Sequence, residues 1–393
     1  MITHNKTAIC TISSANFFPF AKTLLQSVER FHPECDRFFL LVDKIVDDIV
    51  SETGFTAIRL DDLHIPSLPQ MSFAYDIVEL NTAVKPFLLS YLLKKGYRKV
   101  IYLDPDIRLY SRIDLALKSL DSNSVVLTPH SVHPAPAATS LLSQIQWEKN
   151  MLTTGVFNLG FIGISKKPEV SDFLLWWQNR CQFLCFNEPY SGIFVDQKWA
   201  ELAIAYLDHA CILRDPGYNV SVWNLHGRSL KNGRINGKNR LVFYHFSSID
   251  IRDDSFLSRH DKTITFYQHP ELRALYADYR RLVIENGYEK FRTIPYRFGR
   301  FADGKEIDVL ERRLYCMVAA DFADPFQCTR KGFYKSLPSR PAPPGREKPS
   351  VAVKSISAIA RIVFKAVGPK SYRNLTNFFS KSAQLRAHTF LLQ

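Results

Sequence analysis

The feature that most constrains this chain is a repeated alternation near its start, in which short apolar runs of strand character are separated by segments with helical spacing. Residues 7–13 (Thr-Ala-Ile-Cys-Thr-Ile-Ser) are rich in β-branched and apolar side chains and predict a strand. Phe20, Leu24, Leu25 and Val28 then recur at helical spacing, and Phe38-Phe39-Leu40-Leu41-Val42 predicts a second strand. Thr82 reads as an N-cap and Pro86 sits in the first turn of a helix through Leu88, Leu89, Tyr91 and Leu92 that Gly96 ends. Lys99-Val100-Ile101-Tyr102-Leu103 follows, a nearly continuous apolar strand of the kind buried on both faces. Strand, helix, strand in this order predicts an α/β fold with a mostly parallel central sheet flanked by helices.

Further along, residues 156–164 predict a strand with Gly160 and Gly163 where something approaches the backbone closely. Helices are expected around 173–182 and 194–206, and a last strand at 241–245. The segment 265–335 reads as a charged helical C-terminal subdomain following a main domain of residues 1–264. Residues 336–350 hold five prolines and little apolar content, the composition of a linker, and 351–393 form a basic tail.

Charge divides the chain in the same way. The 393 residues hold 51 Lys and Arg against 38 Asp and Glu, a net of +13. Residues 331–393 carry 12 of the basic residues and one acid, Glu347, so residues 1–330 are left with a net of only +2. A nucleic-acid binder should carry basic residues across its fold, which argues against nucleic acid as the partner of the main domain. In the tail, Val353, Ile356, Ala360, Val363, Phe364 and Val367 mark one helical face and Lys354, Arg361 and Lys365 a second stripe. That pattern suits an anionic membrane surface, a helix docked on the main domain, or a mobile basic arm. The start lacks a secretory pattern, no run of about 18 apolar residues occurs, and the seven cysteines are scattered. A cytoplasmic protein is expected, with the tail as a peripheral contact to the inner face of the cell membrane.

The chemistry is expected at Asp104-Pro105-Asp106. Two carboxylates just beyond the carboxyl end of a buried parallel strand lie where open α/β sheets place their ligands. Hard divalent ions accept such oxygen-rich sites and keep positions for substrate phosphates. A polar turn closed by Pro105 would read the same way in isolation.

With this motif in place the chain resembles the GT-A-fold glycosyltransferases, in particular glycosyltransferase family 8 and its bacterial relatives, over most of residues 8–260. The resemblance implies a Rossmann-like GT-A catalytic domain with a helical C-terminal extension, a nucleotide-diphosphate sugar as donor, a Mn²⁺ or Mg²⁺ ion, and transfer with retention. The acceptor it implies is a glycan or a lipid-linked sugar, in bacterial surface polysaccharide synthesis. By the same resemblance Thr11, Ser13 and Asn16 face the base and ribose, although Ser13 or Asn16 could equally cap a helix. Lys85 matches a basic residue facing the diphosphate, or is an ordinary surface lysine. Asp104, Asp106 and His245 match the metal ligands. Asn158 in Asn-Leu-Gly lies beside the donor sugar, and Asp196-Gln197 match a pair near the acceptor, where Asp196 could instead favour a helix N-terminus. The glycine and lysine that usually follow the metal-binding histidine are missing here; Arg252, Arg259, His260 or Lys262 could replace that lysine. Trp223 either stacks on a sugar or packs in the core. Two other readings remain: a non-catalytic module binding a membrane or nucleic acid through the tail, and a sugar nucleotidyltransferase, which would more usually carry a Gly-rich phosphate loop near the first strand.

Overall fold

The computed structural model describes residues 6–43, 46–135, 139–316 and 324–336, with a few isolated positions between 363 and 375. The expected linker (all but Ser336) and most of the basic tail lie outside the described residues, so the helical face predicted there is not addressed. The chain divides into two units, residues 1–67 with 77–297 and residues 68–76 with 298–393.

The first unit is built on a seven-stranded sheet. Its strands are β1 (Thr7–Ser13), β2 (Asp36–Leu41), β3 (Thr56–Arg59), β4 (Lys99–Leu103), β6 (Val125–Pro129), β7 (Phe157–Ser165) and β8 (Ala210–Ile212). Their order is β8-β6-β7-β4-β1-β2-β3. All pairings are parallel except those of β7, which runs antiparallel to both β4 and β6. The mostly parallel, helix-flanked sheet expected from the apolar runs is therefore present. The runs of β1 and β4 are buried as that expectation requires: Ile9, Val100, Ile101 and Leu103 are all at 0% exposure. Burying each such side chain contributes on the order of 2 kcal/mol.

Helix α1 (Phe18–Phe31) carries the predicted stripe, with Phe20, Leu24, Leu25 and Val28 buried. The next predicted helix differs from expectation at its start. Thr82 is not an N-cap but lies inside a short helix α2 (Ile77–Ala83), where its hydroxyl donates back to Val78 O (3.1 Å) and Glu79 O (3.0 Å). The break falls after it because Pro86 has no N–H to give to the Thr82 carbonyl, and a new helix α3 (Lys85–Lys94) starts with Pro86 in its first turn. Beyond β6 lies α4 (Leu141–Thr154), and beyond β7 lies α5 (Pro168–Phe183). The segment expected to be one helix over 194–206 is two single turns, α6 (Gln197–Ala200) and Ala203–Tyr206.

Two short strands complete the site's frame. Strand β5 (Ile107–Leu109) pairs antiparallel with β9 (Phe243–His245), with His245 opposite Ile107. Helix α7 (Arg273–Glu285) packs in the same unit, and Phe246 stacks on Tyr279 at 3.7 Å between ring centroids.

The second unit has its own aromatic core. Phe73, from the helix Leu68–Ala74, contacts Phe301, Tyr315, Phe326 and Phe333 at 4.5–5.8 Å between centroids. Arg312, on the helix Val309–Tyr315, is 3% exposed and donates to the carbonyls of Phe73 (2.8 Å), Tyr75 (2.7 Å) and Phe298 (2.8 Å). Backbone carbonyls thus satisfy a buried guanidinium that would otherwise be costly.

Candidate active site

Sheet register assembles the site. Leu103 is opposite Phe161 on the antiparallel β7, and the Asp104 N–H donates to Gly160 O at 2.8 Å, which continues that ladder one step beyond the strand. Asn158 and Gly160 are thereby brought beside Asp104. The β5–β9 pairing delivers His245 to the other side of the turn, and the Phe246 N–H closes onto Asp106 O at 2.9 Å. Parallel pairing of β1 with β4, Cys10 opposite Tyr102, puts Ser13 and Asp104 at the same carboxyl edge of the sheet.

At that edge Asp104, Asp106 and His245 converge. His245 Nε2 lies 3.0 Å from Asp106 Oδ1 and 3.8 Å from Asp104 Oδ2, and one ligand atom from each of the three residues lies within 4.8 Å of the others. The imidazole is 3% exposed, the two carboxylates 29% and 15%, so the acids open to solvent above a buried base. Burial alone would push the His245 imidazole down; Asp106, and then Asp104, outweigh it and hold it above its ordinary value. Two carboxylates and one imidazole are a donor set that suits Mn²⁺ or a similar divalent ion, and ligands on one such ion held at about 2.1 Å each lie within about 4 Å of one another. A second His/Glu/Cys grouping, His32, Glu34 and Cys35, offers less. Both ring nitrogens of His32 are engaged there, Nε2 accepting from Ile113 N–H (2.9 Å) and Nδ1 meeting Glu34 (2.9 Å).

Behind the acids lies a layer whose contacts the sequence did not disclose. The Tyr102 hydroxyl donates to Asp104 Oδ1 at 2.6 Å, and burial together with that carboxylate raises the Tyr102 phenol well above its ordinary range. His245 Nδ1 faces Asn158 Oδ1 at 3.2 Å, and Trp223 stands edge-on to the imidazole at 5.2 Å. Asn219, buried and in the left-handed region at φ 54°, donates from Nδ2 to Asn158 Oδ1 (3.1 Å) and Thr128 Oγ1 (3.0 Å). His130 Nε2 meets Asn158 Nδ2 at 3.3 Å. Gly160 has its predicted close approach, since a Cβ there would lie 2.6 Å from His245 Cε1.

The remaining expected residues fall into two groups. Thr11 and Asn16, at the end of β1 and just beyond it, each have a buried side-chain oxygen with no hydrogen-bond partner. Ser13 donates to Ser14 O (3.1 Å), and Asn81 donates to Ser14 Oγ (2.8 Å). The turn after β1, Ala15–Phe17, has no side-chain cap, so neither Ser13 nor Asn16 is spent as one. Lys85, Asp196 and Gln197 are instead buried in the wall. Lys85 Nζ lies 2.8 Å from Asp196 Oδ2, donates to Leu159 O (3.0 Å) and sits 4.4 Å over the Tyr102 ring. Burial would lower the Lys85 ammonium, but Asp196 and Asp104 hold it raised and charged. Lys85 is thus no surface lysine, and Asp196, although it precedes α6, makes no side-chain cap there. The Gln197 amide is committed to backbone: Oε1 accepts from Leu159 N–H (2.9 Å) and Nε2 donates to Thr154 O (2.7 Å).

Of the basic residues after His245, Arg252 pairs with Glu289 (2.7 Å) and Lys262 lies over the Phe256 ring (4.8 Å). His260 meets Ser247 Oγ at 3.2 Å; burial and then His245 hold its imidazole below the ordinary value.

No family profile matches the chain. It is 26% identical over 305 residues to the uncharacterized protein YfnF of Bacillus subtilis strain 168, covering 75% of this chain and 97% of that protein. Among solved structures, it is similar to the galactosyltransferase LgtC in complex with donor and acceptor sugar analogs: 15% identity, 73% of this chain, 97% of that one, TM-score 0.42. It is also similar to the glycosyltransferase GlyE of Streptococcus pneumoniae TIGR4: 16% identity, 76% of this chain, 67% of that one, TM-score 0.43.

Proposed function

We propose that this chain is an enzyme of the GT-A glycosyltransferase type. In this reading it moves a sugar, with retention, from a nucleotide-diphosphate donor to a glycan or lipid-linked acceptor in bacterial surface polysaccharide synthesis. The observation that carries the reading is the convergence of Asp104, Asp106 and His245 at the carboxyl edge of the sheet, with His245 Nε2 turned toward both carboxylates. These three residues would hold a Mn²⁺ or Mg²⁺ ion. When bound, that ion supplies Lewis-acid stabilisation of the charge on the departing nucleoside diphosphate.

The chain's own residues do the rest. Thr11 and Asn16 have buried oxygens without protein partners at the same edge, which suits hydrogen bonds to a nucleoside once local side chains shift. Tyr102 steadies Asp104 from behind. Lys85 supplies a fixed positive charge under the donor site through Tyr102 and Asp104, and Asp196 keeps that lysine charged. With its Oδ2 2.8 Å from Lys85 Nζ and the residue 1% exposed, Asp196 is poorly placed for covalent attack, which favours same-face attack by the acceptor over a double displacement. Trp223 gives the site an aromatic edge.

The basic tail belongs to the same proposal as a contact to an anionic membrane face. Residues 351–393 contain no acid, and no helix among the described residues is long and apolar enough to cross a membrane. Flotation with anionic liposomes should weaken when residues 336–393 are removed; equal flotation would remove the membrane role. For the activity, the test is hydrolysis or transfer of nucleotide sugars with Mn²⁺. Turnover that Asp104→Ala abolishes is expected, and an Asp106→Ala enzyme of undiminished activity would overturn the metal assignment.

A further inference from the structure

A neutral imidazole binds a metal only through the ring nitrogen that carries no proton, so a histidine ligand needs a partner that places the proton on the other nitrogen. In His245 the nitrogen facing the carboxylates is Nε2. The other, Nδ1, is 3.2 Å from Asn158 Oδ1. That atom is the amide oxygen and not the nitrogen, because it also accepts from two donors: the Gly160 N–H at 3.2 Å and Asn219 Nδ2 at 3.1 Å. Asn158 Nδ2 points the other way, to His130 Nε2 at 3.3 Å. An oxygen opposite Nδ1 obliges Nδ1 to be the donor.

We propose that Asn158 is a positioning residue that, with a cation bound, fixes His245 as the Nδ1–H tautomer, with the Nε2 lone pair directed at the Asp104–Asp106 cation site. Asn219 and His130 lock the Asn158 amide in the orientation this requires. The inference rests on the reading of Asp104, Asp106 and His245 as a divalent-cation site. It also adds to the role expected for Asn158 from the sequence. A carbonyl oxygen has two lone pairs, and three donors already converge on this one, so a sugar hydroxyl at Asn158 would meet the second Nδ2 hydrogen and not the oxygen. Asn158 acts through His245. The nearby glycine serves the same arrangement, since a side chain at Gly160 would lie 2.7 Å from Asn158 Oδ1 and 2.8 Å from His245 Nδ1, wedged against both members of the pair.

The test uses the full chain and Mn²⁺ alone, with binding read from loss of the free-ion EPR signal. Wild type should bind, and His245→Ala should bind much more weakly; absence of binding by wild type, or binding by His245→Ala equal to it, defeats the cation-site reading itself. With those two results in hand, Asn158→Leu, which keeps the size and loses the acceptor, should weaken Mn²⁺ binding about 10- to 100-fold, the usual effect of removing a partner of a metal-binding histidine. Asn158→Asp retains an acceptor and should retain binding. Affinity in Asn158→Leu equal to wild type overturns the positioning role and leaves the cation site standing. A second measurement needs no variant. In ¹⁵N spectra of histidine-labelled wild type loaded with diamagnetic Mg²⁺, His245 should carry its proton on Nδ1, and a proton on Nε2 would overturn the proposal.

Discussion

Lys85, at the start of α3, and Asp196, just before α6, form an ion pair at 2.8 Å with side-chain exposures of 2% and 1%. Taking two charges out of water is costly, and their attraction offsets that cost only while both are present. Lys85→Met strands a buried carboxylate and should lower unfolding free energy by about 3–5 kcal/mol in urea titrations. The double replacement Lys85→Met with Asp196→Leu should recover much of that loss. Additive single losses in such a cycle would mean that the pair is not coupled.

This pair also marks where sequence reasoning runs out. The apolar runs of β1, β2 and β4 are local signals, so the parallel sheet was legible. Asp104 and Asp106 are adjacent to a buried strand, and Gly160 and His245 lie in short recognisable segments. The meeting of Asn158 with His245 depends instead on the registers of β4 with β7 and of β5 with β9, and Asp196, the partner of Lys85, lies on none of these strands. Alternation of apolar residues fixes which face a strand buries, but not which residue of a distant strand lies opposite. Asparagine takes a left-handed backbone more readily than most residues, but nothing local announces that the Asn219 amide is buried against Asn158. Thr82 was misread because a threonine one turn before a proline can back-bond to its own helix as readily as cap the next.

Gly160 and Gly163 lie on the same strand, but their substitution should have different consequences. A methyl group at Gly160 would meet His245 Cε1 at 2.6 Å and Asn158 Oδ1 at 2.7 Å, both held by hydrogen bonds. Gly160→Ala should therefore displace the imidazole and reduce Mn²⁺ affinity at least tenfold. At Gly163 the methyl would meet the tips of Ile101 and Leu120 at 2.9 and 3.1 Å, flexible apolar groups away from the acids. Gly163→Ala should cost about 1–3 kcal/mol of stability from overpacking and leave Mn²⁺ affinity unchanged. Calorimetry of metal binding beside thermal unfolding separates the two, and an equal loss of affinity in both variants would contradict this assignment.

Tyr102 donates to Asp104 Oδ1 at 2.6 Å, while its ring lies 4.4 Å beneath Lys85 Nζ. Tyr102→Phe keeps the ring and its contact to the ammonium but removes the donor. The fold should lose about 1.5–3 kcal/mol, the range for a hydrogen bond to a charged group. Asp104, no longer pinned, should hold the ion less tightly, so a higher Mn²⁺ concentration for half-maximal turnover is expected while the rate at saturating Mn²⁺ changes little. A fall in saturated rate without change in Mn²⁺ requirement would argue that the hydroxyl acts on the substrate and not on Asp104.

His130 gives the stability of the first unit a pH dependence whose sign can be worked out. Burial pushes its imidazole down from 6.5 to about 4; the nearby backbone of Gly155 and Val156 opposes the shift, and the neighbouring His245 adds to it. Between about pH 6.5 and 4 the unfolded chain therefore binds a proton at this residue that the native protein does not. The native state loses stability as pH falls through that window, by no more than about 1.4 kcal/mol per pH unit from this one group, and the loss levels off below about 4. His130→Gln, which keeps a polar group near Asn158 but cannot titrate, should lack this component. Urea midpoints at pH 7, 5.5 and 4.5 should then show wild type losing stability faster than the variant as pH falls. Parallel curves would mean that His130 protonates as readily in the native protein as in the unfolded one.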